Sequence, residues 1–128
     1  MLKEPDYSLL DDPDILQLVF YPRQDWTPAA SAAKDYLAPV ASSISISCRF
    51  YPAKKNSPAI LYFHGNGEVA CDYDFIAPDY NELNISLFVA DYRGYGRSSG
   101  KPNFSSMALP VMRSIWPSSI TSAFFAGI

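Results

Sequence analysis

Two short runs, Ala59-Ile60-Leu61-Tyr62-Phe63 and Ser86-Leu87-Phe88-Val89-Ala90, are almost unbroken in apolar side chains, and each stops at a polar loop containing glycine. Continuous apolar strands of this length suit a sheet covered on both faces, as when helices pack on either side of parallel strands. The first run leads into His64-Gly65-Asn66-Gly67-Glu68 and the second into Asp91-Tyr92-Arg93-Gly94-Tyr95-Gly96-Arg97-Ser98-Ser99-Gly100. Between them, the segment from Glu68 to Leu83 carries Glu68, Asp72 and Asp74 in its first turns, the sign of charge that a helix N-terminus favours. The pattern predicts an α/β unit of strand, helix and parallel strand, with both strands central in the sheet.

The chain ahead of this unit reads differently. Ile44, Ile46, Cys48 and Phe50 alternate with polar residues, the period of two expected of a half-buried strand in an antiparallel pair. With Tyr36-Leu37-Ala38-Pro39-Val40 before it and Ser42-Ser43 as the turn, this predicts a hairpin over Tyr36 to Tyr51. Farther upstream, Ile15, Leu16, Leu18, Val19 and Phe20 recur at helix-like spacing, Asp12 is a candidate cap and Pro13 fits the first helical position. Pro22 would end that helix. A length of 128 residues leaves room for one small domain or a piece of a larger one, and no internal repeat is present.

Composition narrows the function classes. Apolar residues make up 48% and charged residues 18%, enough for a core and too little polarity for a disordered chain. The net charge is −3 and no basic run could neutralise a row of phosphates, so nucleic acid is not an expected partner. No stretch approaches the roughly 20 apolar residues of a membrane span, and the start lacks the apolar run of a secretory signal, which predicts a cytoplasmic protein. Cys48 and Cys71 stand far apart with no metal-ligand spacing, so reduced thiols are expected and a metal is not.

Three motifs compete for the chemistry. Gly65-Asn66-Gly67-Glu68-Val69-Ala70 fits G-x-G-x-x-A at a strand-to-helix turn, and Asp91 ends the next strand where a ribose-binding acid stands in dinucleotide folds. The hairpin ahead of the unit argues against that alternative. Gly96-Arg97-Ser98-Ser99-Gly100 fits the G-x-S-x-G nucleophile elbow, but the elbow needs a strand feeding directly into it and a helix leaving it. Six loop residues precede this one and Lys101-Pro102 follows, which makes Ser98 a loop serine. His64 is the only histidine and precedes every candidate serine, so it fits a structural role at a strand end. A Cys71/His64 pair remains conceivable, although an inert thiol is the simpler reading.

The order Phe63-His64-Gly65-Asn66-Gly67-Glu68, helix, apolar strand and Asp91-Tyr92-Arg93-Gly94-Tyr95-Gly96-Arg97-Ser98 resembles the α/β-hydrolase superfamily. Within it, the chain is similar to serine hydrolases of the Bem46-like and dienelactone-hydrolase-like groups. The resemblance runs from about Tyr7, through Phe20-Tyr21-Pro22-Arg23, to Met107. It implies the N-terminal part of an α/β-hydrolase sheet, with Ala59 to Phe63 as the third strand and Ser86 to Asp91 as the fourth. It also implies that the loop after the third strand is an oxyanion hole, where the Asn66 N–H, helped by that of Gly67, meets the negative oxygen of a tetrahedral intermediate. His64, Gly65, Asp91, Arg93, Gly94 and Gly96 would shape the loops and move no proton. The implied partner is a small-molecule acyl substrate (an ester, thioester or amide), with no cofactor. Independently of the resemblance, a glycine-flanked turn leading into a helix presents free N–H groups and a positive dipole end.

After Met107 the family pattern stops. The family's next helix, strand, true elbow, acid and histidine have no counterpart in residues 108–128, which carry no acid, a single charge at Arg113, and two prolines. We therefore divide the chain into residues 1–107, an N-terminal half of a hydrolase domain, and residues 108–128, an atypical tail arising by truncation, by frame shift or as a genuine alternative ending. Such a half would expose the far edge of the fourth strand and invite self-association. Met107, Val111, Met112, Ile115 and Trp116 lie at helical spacing and would cover part of it. Three functions stay in view: an incomplete serine hydrolase, a non-catalytic binding module, and a dinucleotide-binding domain. With a frame shift, translating the other two forward frames beyond the Met107 codon yields an acid-bearing helix, an apolar strand and G-x-S-x-G. Stop codons in all frames instead mark a truncation or a genuinely short protein.

Overall fold

A four-stranded mixed sheet organises the chain, as described by a computed structural model for residues 6–30 and 32–107. The tail and its stripe of Val111, Met112, Ile115 and Trp116 lie outside the described residues. Strands β1 (Lys34–Ala41) and β2 (Ile44–Tyr51) form the expected antiparallel hairpin around Ser42-Ser43, with a register irregularity between Pro39 and Ala41. Strands β3 (Ala59–Phe63) and β4 (Ser86–Ala90) run parallel from Ala59 opposite Ser86 to Phe63 opposite Ala90. The sheet order is β1-β2-β4-β3, and β4 joins the two halves by pairing antiparallel with β2.

That order corrects the expectation for the apolar runs. β4 is buried along its whole length, as a central strand should be. β3 is the sheet's edge, half-buried with Ile60 exposed, and the free edge expected at the fourth strand is therefore the third strand's. Apolar content reports how well a strand's faces are covered; it carries no information on whether a crossover returns inside or outside its partner.

The helices follow their local chemistry. Asp12 caps α1 (Pro13–Val19) by accepting the Asp14 N–H at 2.9 Å, and Pro13 occupies the first position. The single helix expected over Glu68 to Leu83 is instead a 3-10 turn, Ala70–Phe75, followed by α2 (Ala77–Glu82). Pro78 has no N–H to continue the ladder, and this breaks the segment. A last short helix, α3 (Phe104–Met107), is capped from afar, the Asp11 carboxylate accepting the Phe104 N–H at 2.7 Å.

The hairpin's second face holds the largest surprise. Ile46 and Cys48 pack with Ala38, Phe88 and Ala90 on one side of the sheet, as the alternation predicts. The polar residues Ser47 and Arg49, expected to face water, are also fully buried. Tyr51 packs on this second face with Ala70, Ala77, Leu87 and Val89, beside Trp26. Arg49 fits there because every arm of its guanidinium has a partner. Its Nε and Nη2 bind the Asp35 carboxylate at 2.7 and 3.0 Å, its Nη1 binds both Asp74 oxygens at 3.0 Å, and its Nη2 also reaches the Thr27 carbonyl. The Trp26 ring lies 4.6 Å from the guanidinium carbon, completing a cation–π contact. Burial alone would favour the neutral guanidine, but the hydrogen bonds and charges of Asp35 and Asp74 outweigh it and hold the cation more firmly than usual.

Removing Arg49 strands two carboxylates at a partly buried surface. Arg49→Met is expected to lower the unfolding free energy by about 2–4 kcal/mol in denaturant titration. Asp25→Ala, whose carboxylate pairs with Arg23 at the exposed surface, costs less than about 1 kcal/mol in the same assay.

Candidate functional site

The two glycine loops leave the C-terminal ends of β3 and β4, which are neighbours in the sheet, so the fold itself brings them together. Binding crevices in open α/β sheets form at such strand ends. The fully buried Asp91 carboxylate binds them to each other and to β2. One oxygen accepts the Ala70 N–H at 2.8 Å and the other accepts the Ser47 hydroxyl. Ser47 is held in turn: its N–H donates to Ser98 Oγ at 2.9 Å, its carbonyl accepts the Asp91 N–H, and its hydroxyl oxygen accepts the Arg97 N–H.

Gly96 belongs to this cluster by necessity. Its φ is +54°, and a Cβ placed there would stand 2.2 Å from an Asp91 oxygen. Gly94, at φ +78°, is less tightly enclosed, with a Cβ there standing 3.0 Å from Pro102 and 3.2 Å from the Gly100 carbonyl. Arg93 lays its stem beside Gly100, and its buried Nε has no acceptor among the described residues. Gly65 donates its N–H to Glu68 Oε2 at 2.8 Å while the Glu68 N–H returns to the Gly65 carbonyl. The Tyr73 hydroxyl, 2.7 Å from the same oxygen, and the Gly65 N–H hold the Glu68 carboxyl below its ordinary value.

His64 is enclosed. Its Nδ1 lies 2.8 Å from the Gly65 carbonyl, an atom that can only accept, so Nδ1 is the donor of that bond. Nε2 lies 3.1 Å from Asp91 without the alignment of a hydrogen bond. The Tyr92 and Tyr95 rings stand 4.7 and 5.4 Å away, and burial raises the pKa of both phenols. Cys71 donates to the Asp25 carbonyl, and Cys48 is deep in the core, where burial and then Asp91 push its thiol up.

The expected oxyanion loop has a side-chain function that the sequence did not disclose. The Asn66 carboxamide reaches across to the N-terminal arm: Oδ1 accepts the Tyr21 N–H at 3.0 Å and the Tyr95 hydroxyl at 2.8 Å, and Nδ2 donates to the Val19 carbonyl. Gly67, at φ +81°, turns its carbonyl to Arg23 at 3.0 Å. Among the described residues, the N–H groups of Asn66 and Gly67 have no acceptor, whereas those of Val69 and Ala70 are bound to Asp72 and Asp91. The first donors of the 3-10 turn are thus spent on the protein's own carboxylates, contrary to the free helix end expected there. The same fact counts against a dinucleotide: Asp91 has no exposure to a ribose, and Glu68 places a negative charge in the loop that would hold the pyrophosphate. Ser98 Oγ is buried and lies 3.1 Å from Ser47 Oγ.

Among the described residues no group of three His, Cys, Asp or Glu side chains is arranged to hold a metal ion, and no helix is long and apolar enough to cross a membrane. The strand-end loops and the mixed sheet make an α/β scaffold, and comparison with known proteins finds similarity in sequence to α/β-hydrolase proteins over part of the chain. Protein bem46 of Schizosaccharomyces pombe is 38% identical over 50 residues, 38% of this chain and 17% of that protein. Alpha/beta hydrolase domain-containing protein 17B of Homo sapiens is 28% identical over 109 residues, 77% of this chain and 37% of that protein. A serine hydrolase-like protein of Dictyostelium discoideum is 31% identical over 68 residues, covering 53% of this chain and 19% of that protein. Among solved structures, a CIB-like hydrolase from Thermoplasma acidophilum overlays with a TM-score of 0.47 at 20% identity, over 75% of this chain and 43% of that one. No protein-family model matches. The chain is an α/β-hydrolase relative, and it spans 37% or less of the length of these curated relatives.

Gly96→Ala forces a side chain against the buried Asp91 carboxylate at a positive φ. It is expected to destabilise the chain by about 2–4 kcal/mol in denaturant unfolding, from backbone strain plus overpacking.

Proposed function

We propose that the chain carries the oxyanion-binding part of an α/β-hydrolase acyl-transfer site and does not catalyse acyl transfer alone. The observation that supports it most directly is the pair of unspent N–H groups at Asn66 and Gly67, at the C-terminal end of β3, next to Val69 and Ala70, whose N–H groups are bound by Asp72 and Asp91. A preorganised donor of this kind contributes on the order of 3 kcal/mol to the barrier of an acyl transfer. The reaction also needs a nucleophile, a base and a group that orients the base. The sequence holds one histidine, and His64 directs its Nδ1 at the Gly65 carbonyl between the rings of Tyr92 and Tyr95. Ser98 is engaged with Ser47, and no acid follows Asp91. Within the same reading, any self-association runs through β3, whose Ala59–Phe63 edge bears neither charge nor proline, while β1 is protected by Lys34, Asp35 and Pro39.

Two measurements test the proposal. In a 15N amide titration with methylphosphonate, a tetrahedral oxyanion, the resonances of Asn66 and Gly67 are expected to move more than those of Val69 and Ala70; equal movement removes the oxyanion reading. The purified chain is expected neither to hydrolyse a p-nitrophenyl ester above an albumin control nor to label with a fluorophosphonate. Labelling abolished in Ser98→Ala would identify Ser98 as a nucleophile, and labelling that persists there but vanishes in Cys71→Ala would identify a Cys71/His64 pair.

A further inference from the structure

Where the N-terminal arm crosses the strand-end loops, it roofs a cavity of about 190 Å³ walled by Val19, Phe20, Tyr92, Tyr95, Phe104 and Met107, with His64 and Asn66 at its base. We propose that this cavity is a binding site for a small uncharged apolar molecule, of the size of an aromatic ring bearing a few extra carbons. The inference goes beyond the hydrolase reading, since it requires binding and no turnover.

Volume sets the size of the ligand. An enclosed apolar cavity of about 150 Å³ accepts benzene, so this larger one, partly open to solvent, has room for toluene or indole. Chemistry sets the class. No Asp, Glu, Lys or Arg lines the cavity, and its side-chain polar groups other than His64 Nε2 are already engaged. The Asn66 carboxamide is used at both ends, the Tyr95 hydroxyl lies between Tyr21 N and Asn66 Oδ1, and the Tyr92 hydroxyl donates to the His64 carbonyl at 2.9 Å. His64 Nδ1 is held by Gly65, and Nε2 lies 3.1 Å from Asp91 without a hydrogen bond. A charged ligand would lose its hydration and find no counter-ion, which selects against it strongly.

The roof is held in place by a latch. Asn66, Tyr95 and Tyr21 share one network, and Phe20 packs on Phe104 with ring centres 5.2 Å apart. Phe104 is in turn anchored by Asp11, so both walls of the cavity depend on the arm between Asp11 and Tyr21.

The test uses the full 128-residue chain with toluene, indole and, as a charged control of similar size, benzoate. Saturation-transfer NMR is expected to detect toluene and indole, and at ten times the dissociation constant either raises the thermal midpoint by about 5 °C, whereas benzoate does neither. Val19→Trp and, independently, Met107→Trp fill the space and should abolish the transfer. Tyr95→Phe, which removes one strand of the latch, should weaken toluene binding by about fivefold. The proposal is overturned by no transfer to toluene or indole in the unmodified chain, by equal transfer to benzoate, or by undiminished transfer in both tryptophan variants. An oxyanion titration that fails while toluene still binds defeats the hydrolase reading alone.

Discussion

The Asp91 carboxylate is the constraint on which the candidate site depends. A fully buried charge must be met by donors, and here they come from the Ser47 hydroxyl on β2 and the Ala70 N–H at the start of the 3-10 turn. His64 and Gly96 close around the same group. Three segments distant in sequence are thereby drawn to one point. The two glycine loops take their shapes around it, and the unspent amides of Asn66 and Gly67 follow from the fact that Asp91 and Asp72 have consumed the donors next to them.

Arg49 performs the complementary task on the same face of the sheet. Its guanidinium joins the hairpin, through Asp35, to the segment after β3, through Asp74, and to the N-terminal arm, through Thr27 and Trp26. One buried anion thus organises the strand ends and one buried cation organises the middle of the hairpin. In both cases hydrogen bonds from distant segments offset a desolvation cost that would otherwise exclude the charge from the interior.

The N-terminal arm is the least conventional part of the scaffold. It adds no strand to the sheet, yet Asn66 and Tyr95 fasten it by Val19 and Tyr21, Asp11 caps the last described helix, and Arg23 braces the Gly67 carbonyl and Asp72. The carbonyl of Arg23 also receives the Gly96 N–H at 2.7 Å. The arm is therefore part of the site's construction, and the stretch Phe20-Tyr21-Pro22-Arg23 is where sequence resemblance and structural function coincide.

Much of the local structure was legible from the residues themselves. The cap at Asp12, the hairpin around Ser42-Ser43 and the parallel pair rest on local capping and turn chemistry and on continuous apolar runs. Motif order was enough to suggest the hydrolase relationship. Tertiary structure alone decided that β3 is the edge, that Ser47 and Arg49 face inward, and that Asn66 is a latch as well as a candidate oxyanion donor. The physical reason is the same in the last two cases. Alternation and composition tell whether a side chain prefers water when it has no partner, but Asp91, Asp35, Asp74 and Tyr21 supply partners from 14 to 45 positions away, and only the folded chain brings them within hydrogen-bonding distance.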